Sequence, residues 1–219
     1  MNYFQTLPKI ATIDYVGNQI VLTNIMVRSE IIPSLLDNPM LFYPYDIQEG
    51  DTPESIANKY YGDSYRYWLV LFANQIIDPQ WDWPMGPNLF EDYLLDKYTN
   101  DTANSLNIAA NTVSPAQVTA YTQSTIESYV KTITTIDSLS STPNTTIYLI
   151  DLNAYINVIP TTTLASFPDG AQVEQTVSKY IQTIYDSEIQ QNENKRNINL
   201  INAIYVPQFE SQFKSLMSL

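Results

Sequence analysis

The sequence predicts an α+β protein: a small strand-helix-helix core, preceded by a β-hairpin and followed by a mainly helical half with a few strands. Three observations carry this expectation. Residues 10–29 are β-branched and apolar on both sides of Gly17-Asn18, a credible turn pair. Residues 45–79 switch from a two-residue to a nearly four-residue apolar period, with capping residues at each switch. Beyond residue 88, apolar side chains recur mostly at helical spacing, apart from one β-branched stretch.

The hairpin is read as Ile10 to Tyr15 and Gln19 to Ser29. Ile20, Leu22 and Met26 alternate with Val21, Thr23, Ile25 and Val27, so both faces are apolar. That pattern predicts burial on two sides, within the domain or against a partner. Pro33 to Pro44 contains three prolines and reads as an extended connector. In the core, Tyr45 and Ile47 occupy one face of a strand, and Asp46 and Gln48 the other. Glu49-Gly50-Asp51 turns the chain, Thr52 caps a helix and Pro53 takes its first position, where a missing N–H costs nothing. The helix runs to about Tyr61, pairing Ile56 with Tyr60 and Ala57 with Tyr61, and Gly62 supplies a left-handed end. Asp63 or Ser64 caps a second helix whose Trp68, Phe72 and Ile76 form a stripe up to Asp78-Pro79.

After the core, Asn88 caps a helix from Leu89 to Tyr98, and Thr99 to Ser114 has the composition of a flexible surface excursion. Ser114-Pro115 starts a helix expected to run to about Leu139. Thr145 to Ile159 reads as one or two strands broken near Asn153. Asp169-Gly170 precedes a helix lined by Val173, Val177, Tyr180, Ile184 and Glu188, ending near Lys195-Arg196, where cations suit a helix C-terminus. Pro207 begins the last helix, with Phe209, Phe213 and Leu216 or Met217 on one side. Four segments follow: 1–43, hairpin and connector arm; 44–98, core with its following helix; 99–170, polar insertion with helix and strands; 171–219, C-terminal helices and strand arm.

Composition narrows the function. With 219 residues and 44% apolar content the chain can bury a real core. It has no cysteine and no histidine, which removes disulfides, thiolate metal sites and His-dependent nucleophilic centres. Twenty-three acidic against ten scattered basic residues, a formal charge of −13, argue against electrostatic binding to nucleic acid or an anionic membrane. No apolar run is of membrane-spanning length, and Met1-Asn2-Tyr3-Phe4-Gln5 lacks the parts of a signal peptide. Glu49 with Asp51, or Asp78 with Asp82, has the residue types of a glycosidase acid-base pair. Among so many carboxylates, caps and solvated turns are the commoner origin of such pairs. Glu91, Asp92 and Asp96 as metal ligands meet the same objection, so no metal, cofactor or catalytic residue is expected. Trp68 is expected in the core. Trp81 and Trp83 fit burial within the chain and burial against a neighbouring chain equally, with sugar stacking behind both.

Tyr45-x-Ile47, Gly50-Asp51-Thr52, Ser55-Ile56-Ala57, Tyr60, and Leu71 followed by Asn74 match the LysM pattern in order and spacing. The stretch resembles a LysM module, a small βααβ unit that usually binds N-acetylglucosamine-containing glycans. The resemblance implies a groove between Gly50, Asp51, Thr52 and Pro53 on one side and Asn74, Ile76, Ile77 and Asp78 on the other. Where glycan-binding members have a Gly and a closing strand, this chain reads Gln80-Trp81-Asp82-Trp83-Pro84-Met85.

That departure is itself similar to a narrower family. Tyr60-Tyr61-Gly62-Asp63, Tyr67-Trp68 and Asn74-Gln75-Ile76-Ile77-Asp78-Pro79-x-Trp81-x-Trp83-Pro84 resemble the LysM-containing baseplate wedge protein of contractile-tailed bacteriophages. Leu7-Pro8-Lys9-Ile10, Tyr15-x-Gly17, Thr23-Asn24-Ile25 and Arg28 look like its N-terminal strands. Asn192-Glu193-x-Lys195-Arg196-x-Ile198-x-Leu200-Ile201, Tyr205-Val206 and Phe209-x-x-x-Phe213 look like its C-terminal segment. The resemblance implies a non-enzymatic structural protein of the virion tail baseplate, made in the host bacterial cytoplasm. Its implied partners are other wedge subunits and a sheath-initiating protein, in a sixfold assembly. Trp81, Trp83, Tyr205, Phe209 and Phe213 become interface candidates, and deletion from Pro207 onward is expected to spare the core. The alternative is a peptidoglycan- or chitin-binding module of a cell-wall-targeting protein; a hydrolase is disfavoured by the missing residue types.

Overall fold

The computed structural model describes residues 3–27, 38, 40–138, 142–167 and 172–217. In chain order the elements are α1 (Tyr3–Thr6), β1 (Lys9–Ile13), β2 (Gln19–Thr23), β3 (Phe42–Asp46), α2 (Pro53–Tyr61), a 3-10 turn (Ser64–Arg66), α3 (Tyr67–Ala73) and α4 (Pro79–Asp82). There follow α5 (Pro87–Leu106), a second 3-10 turn (Ala110–Thr112), α6 (Pro115–Ser124), β4 (Ile126–Asp137), β5 (Pro143–Ile150), α7 (Leu152–Asn157), β6 (Thr161–Ser166), β7 (Gln172–Thr183), α8 (Ile184–Asn194), β8 (Asn197–Ile201) and α9 (Val206–Met217). The fold is mixed α+β. Two compact units share the chain: unit 1 holds residues 1–86 and 192–219, and unit 2, residues 87–191, is inserted between them.

In unit 1, β1 and β2 form the expected antiparallel hairpin, Lys9 opposite Thr23 through Ile13 opposite Gln19. Its loop is wider than the turn pair suggested: Asp14 accepts from the backbone N–H groups of Val16 and Asn18, and Gly17 takes φ +93°. Strand β3 starts three residues earlier than expected, so Pro44 lies inside it. Its partner is β8, with Phe42 opposite Ile201 and Asp46 opposite Asn197. Ile47 N donates to Arg196 O and Asn202 N to Leu41 O. Bonded pairs alternate along an antiparallel ladder, which puts Pro44 and Asn199 at a non-bonded pair, where proline's missing donor is harmless. Helix α2 agrees with the sequence reading: Thr52 caps it in a reciprocal box with Ser55, Pro53 opens it, and Gly62 ends it at φ 70°. The following helix is shorter than expected. It stops at Ala73, and Ile76 N and Gln75 N return to Leu71 O and Phe72 O, closing the end with Gln75 in the left-handed region.

The core of unit 1 gathers Ile56, Ala57, Leu69, Val70, Leu200 and Val206, with Trp68 beside Phe213 at a ring separation of 4.8 Å. The C-terminal segment is therefore not an arm. Ile198, Leu200, Ile201, Val206, Phe213 and Met217 are buried in the same core as α2 and α3.

Unit 2 departs most from the sequence reading. Helix α5 continues to Leu106, through the stretch expected to be a surface excursion, because Thr102 and Ala103 are buried on the side packed against α6. Helix α6 stops at Ser124, and the expected helix beyond it is the twelve-residue strand β4. The expected helix over Val173 to Tyr180 is strand β7; only Ile184–Asn194 is helical. Strands order as β5-β4-β7-β6, all antiparallel. The expected break near Asn153 is α7, capped by Asp151. Pro33, Pro39, Leu139 and Asp169-Gly170, which figured in the connector and boundary expectations, lie outside the described residues.

Candidate functional site

The groove residues fall into two clusters, both bonded into unit 1. Gln48 to Asp51 form a tight turn closed by Asp51 N to Gln48 O at 3.0 Å, with Gly50 at φ +83°, a conformation that penalises any side chain. The turn aims the Asp51 carboxylate inward. One oxygen accepts from Tyr45 Oη at 2.7 Å and Gln48 N at 3.1 Å, and the other from Lys59 Nζ at 2.5 Å. Burial alone would raise its pKa; the bonds from Lys59, Tyr45 and Gln48 outweigh that and hold the carboxyl below its ordinary range. Asp51 O in turn accepts from Trp83 Nε1 at 3.0 Å. One residue thus fastens strand, turn, helix and the tryptophan segment together.

Asn74 does the same for the closing strand. Its amide donates to Asn199 O at 2.9 Å and accepts from Asn199 N at 2.7 Å, serving the backbone groups that point away from Pro44. The same amide also donates to Val70 O, anchoring the clasp to α3. Asn192 makes a matching pair with Met85, Met85 N to Oδ1 at 2.8 Å and Nδ2 to Met85 O at 3.0 Å, at the two ends of the insertion. Arg196 donates to Ile47 O and pairs with Glu193, and Lys195 donates to Trp81 O.

The remaining candidates separate by exposure. Thr52 and Pro53 serve as helix cap and first turn. Ile76 is half-buried, while Ile77, Asp78 and Trp81 are exposed. Asp78 and Asp82 accept from the backbone N–H groups of Gln80 and of Ile77 and Asp78, which makes them caps of α4. Trp83 and Tyr205 are half-buried. Phe213 is buried and Phe209 packs against the core, so these two fill unit 1 instead of presenting a surface. The Asn192, Asn199 and Lys59 contacts were missed by sequence reasoning. An amide paired across more than a hundred residues leaves no local signal.

The hairpin surface remains open. The hairpin exposes apolar side chains on both faces, Ile13 at 70% and Val21 at 68% on one, Ile10 and Leu22 at 46% each on the other. Unit 2 has its own buried carboxylate, Glu188, which accepts from Lys97 Nζ at 2.6 Å and from the hydroxyls of Tyr93 and Tyr98. Burial opposes its ionisation, yet these three donors hold its pKa below the usual value, while burial of the Tyr98 hydroxyl and its bond to the Glu188 carboxylate push Tyr98 up to about 12. The network staples α8 to α5. Among the described residues no group of three acidic side chains is placed to hold a metal ion.

Fold and site together define a class: an α+β protein whose candidate polar groups are engaged within the chain and whose hairpin exposes apolar side chains. Residues 12–110 match the family model described as base plate wedge protein 53. The match covers a little under half of the chain, from the end of β1 to the start of the second 3-10 turn, and supports a phage baseplate wedge protein. No curated protein matches the chain. No described helix is long and apolar enough to cross a membrane.

Proposed function

We propose that this chain is a non-catalytic structural component of a contractile-tail baseplate wedge, joining wedge subunits through protein contacts around a LysM-like core. The carrying observation is the hairpin: a two-stranded element with apolar residues exposed on both faces, whose turn and second strand lie inside the residues that match the wedge family. Surface of that kind marks a protein contact. The LysM-like reading is supported by the order of β3, α2, α3 and β8, a βααβ arrangement whose closing strand arrives from beyond the insertion. In this reading the groove no longer serves sugars, because Asp51 and Asn74 spend their hydrogen bonds within the chain. Its partners are other wedge subunits and a sheath-initiating protein, its copies follow the sixfold symmetry of the tail, and it is made in the host cytoplasm and resides in the virion.

The test is Val21→Asp combined with Ile25→Asp. Both side chains are exposed, so the variant keeps its circular dichroism and melting temperature, while desolvating two carboxylates at a contact lowers recovery in tails by roughly tenfold or more. Normal recovery of the folded variant would sink the proposal.

A further inference from the structure

Strand β5 has the sequence of an interior strand but lies at the edge of its sheet. Ile147-Tyr148-Leu149-Ile150 is a continuous apolar run, which belongs to strands covered on both faces, yet among the described residues β5 pairs only with β4. Ile147 is 54% and Leu149 73% exposed on one face, and Tyr148 is exposed on the other. Free edges are normally guarded by charge, proline or shortness. The opposite edge, β6, is guarded: six residues between Pro160 and Pro168 in the sequence. β5 is longer, carries proline only at its first position and has no charged residue. Between Asp137 and Asp169 the sequence has one charge, Asp151, although residues 87–191 hold eleven acidic against three basic residues.

We infer that the β5 edge is a docking site for an extended, uncharged strand of a partner protein whose surroundings are basic. The unpaired row of backbone N–H and C=O groups dictates an extended occupant, and the neutral apolar side chains dictate an uncharged one. The acidic excess of unit 2 favours basic flanks, and it opposes a second copy of this chain, which would bring the same charge. This inference does not rest on the wedge reading, since the family match ends before β4.

The probe is a synthetic nine-residue peptide, Lys-Lys-Val-Thr-Val-Thr-Val-Lys-Lys, added to the full chain while amide hydrogen exchange is followed. The expected result is exchange roughly tenfold slower at residues 144–150, absent with Glu in place of each Lys of the peptide and absent in Leu149→Lys, whose exposed position keeps the fold. Absence of protection at 144–150, or equal protection by both peptides, overturns it. So does sedimentation of the chain alone as a dimer that Leu149→Lys dissociates, because the occupant would then be a second copy.

Discussion

Asp51 shows how a residue that looks functional can be structural. Within a glycan-type motif it reads as a groove wall, and nothing nearby in sequence announces that Lys59 and Trp83 will bond to its two ends. Thr52, Pro53 and Gly62 were legible because capping is local: the hydroxyl, the ring and the missing side chain act within four residues. Asp51→Ala strands the Tyr45 hydroxyl and the Gln48 amide and should destabilise unit 1 by about 1–3 kcal/mol in chemical denaturation. The acid limb should respond too. A folded pKa below the ordinary value means that the unfolded chain takes the proton first, so the Asp51 contribution is complete above about pH 4 and lost as pH falls through the folded value. Glu188 acts in the same direction. Denaturation midpoints of the wild type should therefore fall on acidification more steeply than those of Asp51→Ala, and parallel slopes would refute the hub.

At the scale of elements, the sequence reading held where caps and periodicity agreed and failed where they competed. The hairpin, β3, α2 and α9 all have local punctuation. Strands β4 and β7 do not: Val173, Val177, Tyr180 and Ile184 recur at helical spacing, yet residues 172–183 form a strand because β4 and β6 pair with it on both sides. The overlooked signal in β4 was composition, since seven of its twelve residues are β-branched. Helix α5 erred the other way, its polar last turns being recruited by burial of Thr102 and Ala103. The side of strand β8 that faces away from β3 is held by Asn74, which caps the end of α3. Asn74→Ala should leave α2 and α3 in place but raise the exchange rate of the Asn199 amide by roughly fivefold, as expected for losing about 1 kcal/mol of hydrogen bonding, measurable by NMR. An unchanged rate would mean that the ladder with β3 alone holds the strand.

For the molecule as a whole, the decisive feature is that unit 1 is discontinuous. Its core is completed only by residues after the insertion, so the expectation that deletion from Pro207 would spare the core is revised. Removing Phe213 and Met217 opens the packing around Trp68. A chain ending at Val206 should lose several kcal/mol, about the 3–5 of one buried aromatic or more, and show a non-cooperative thermal transition by calorimetry. A sharp transition at the wild-type temperature would contradict that packing. Sequence reasoning placed the C-terminal segment outside the core because pairing of β3 with β8 spans the whole insertion, and no local pattern encodes such a distance. The hairpin, in contrast, was legible from local pattern alone: an apolar alternation on both sides of a turn, with apolar side chains exposed on both strands. The most direct test of the wedge account is amide exchange over residues 9–27 in purified tails compared with the isolated chain. The account predicts that the chain is present in tails and that this segment exchanges there roughly tenfold or more slowly; absence from tails, or equal exchange in both states, would contradict it.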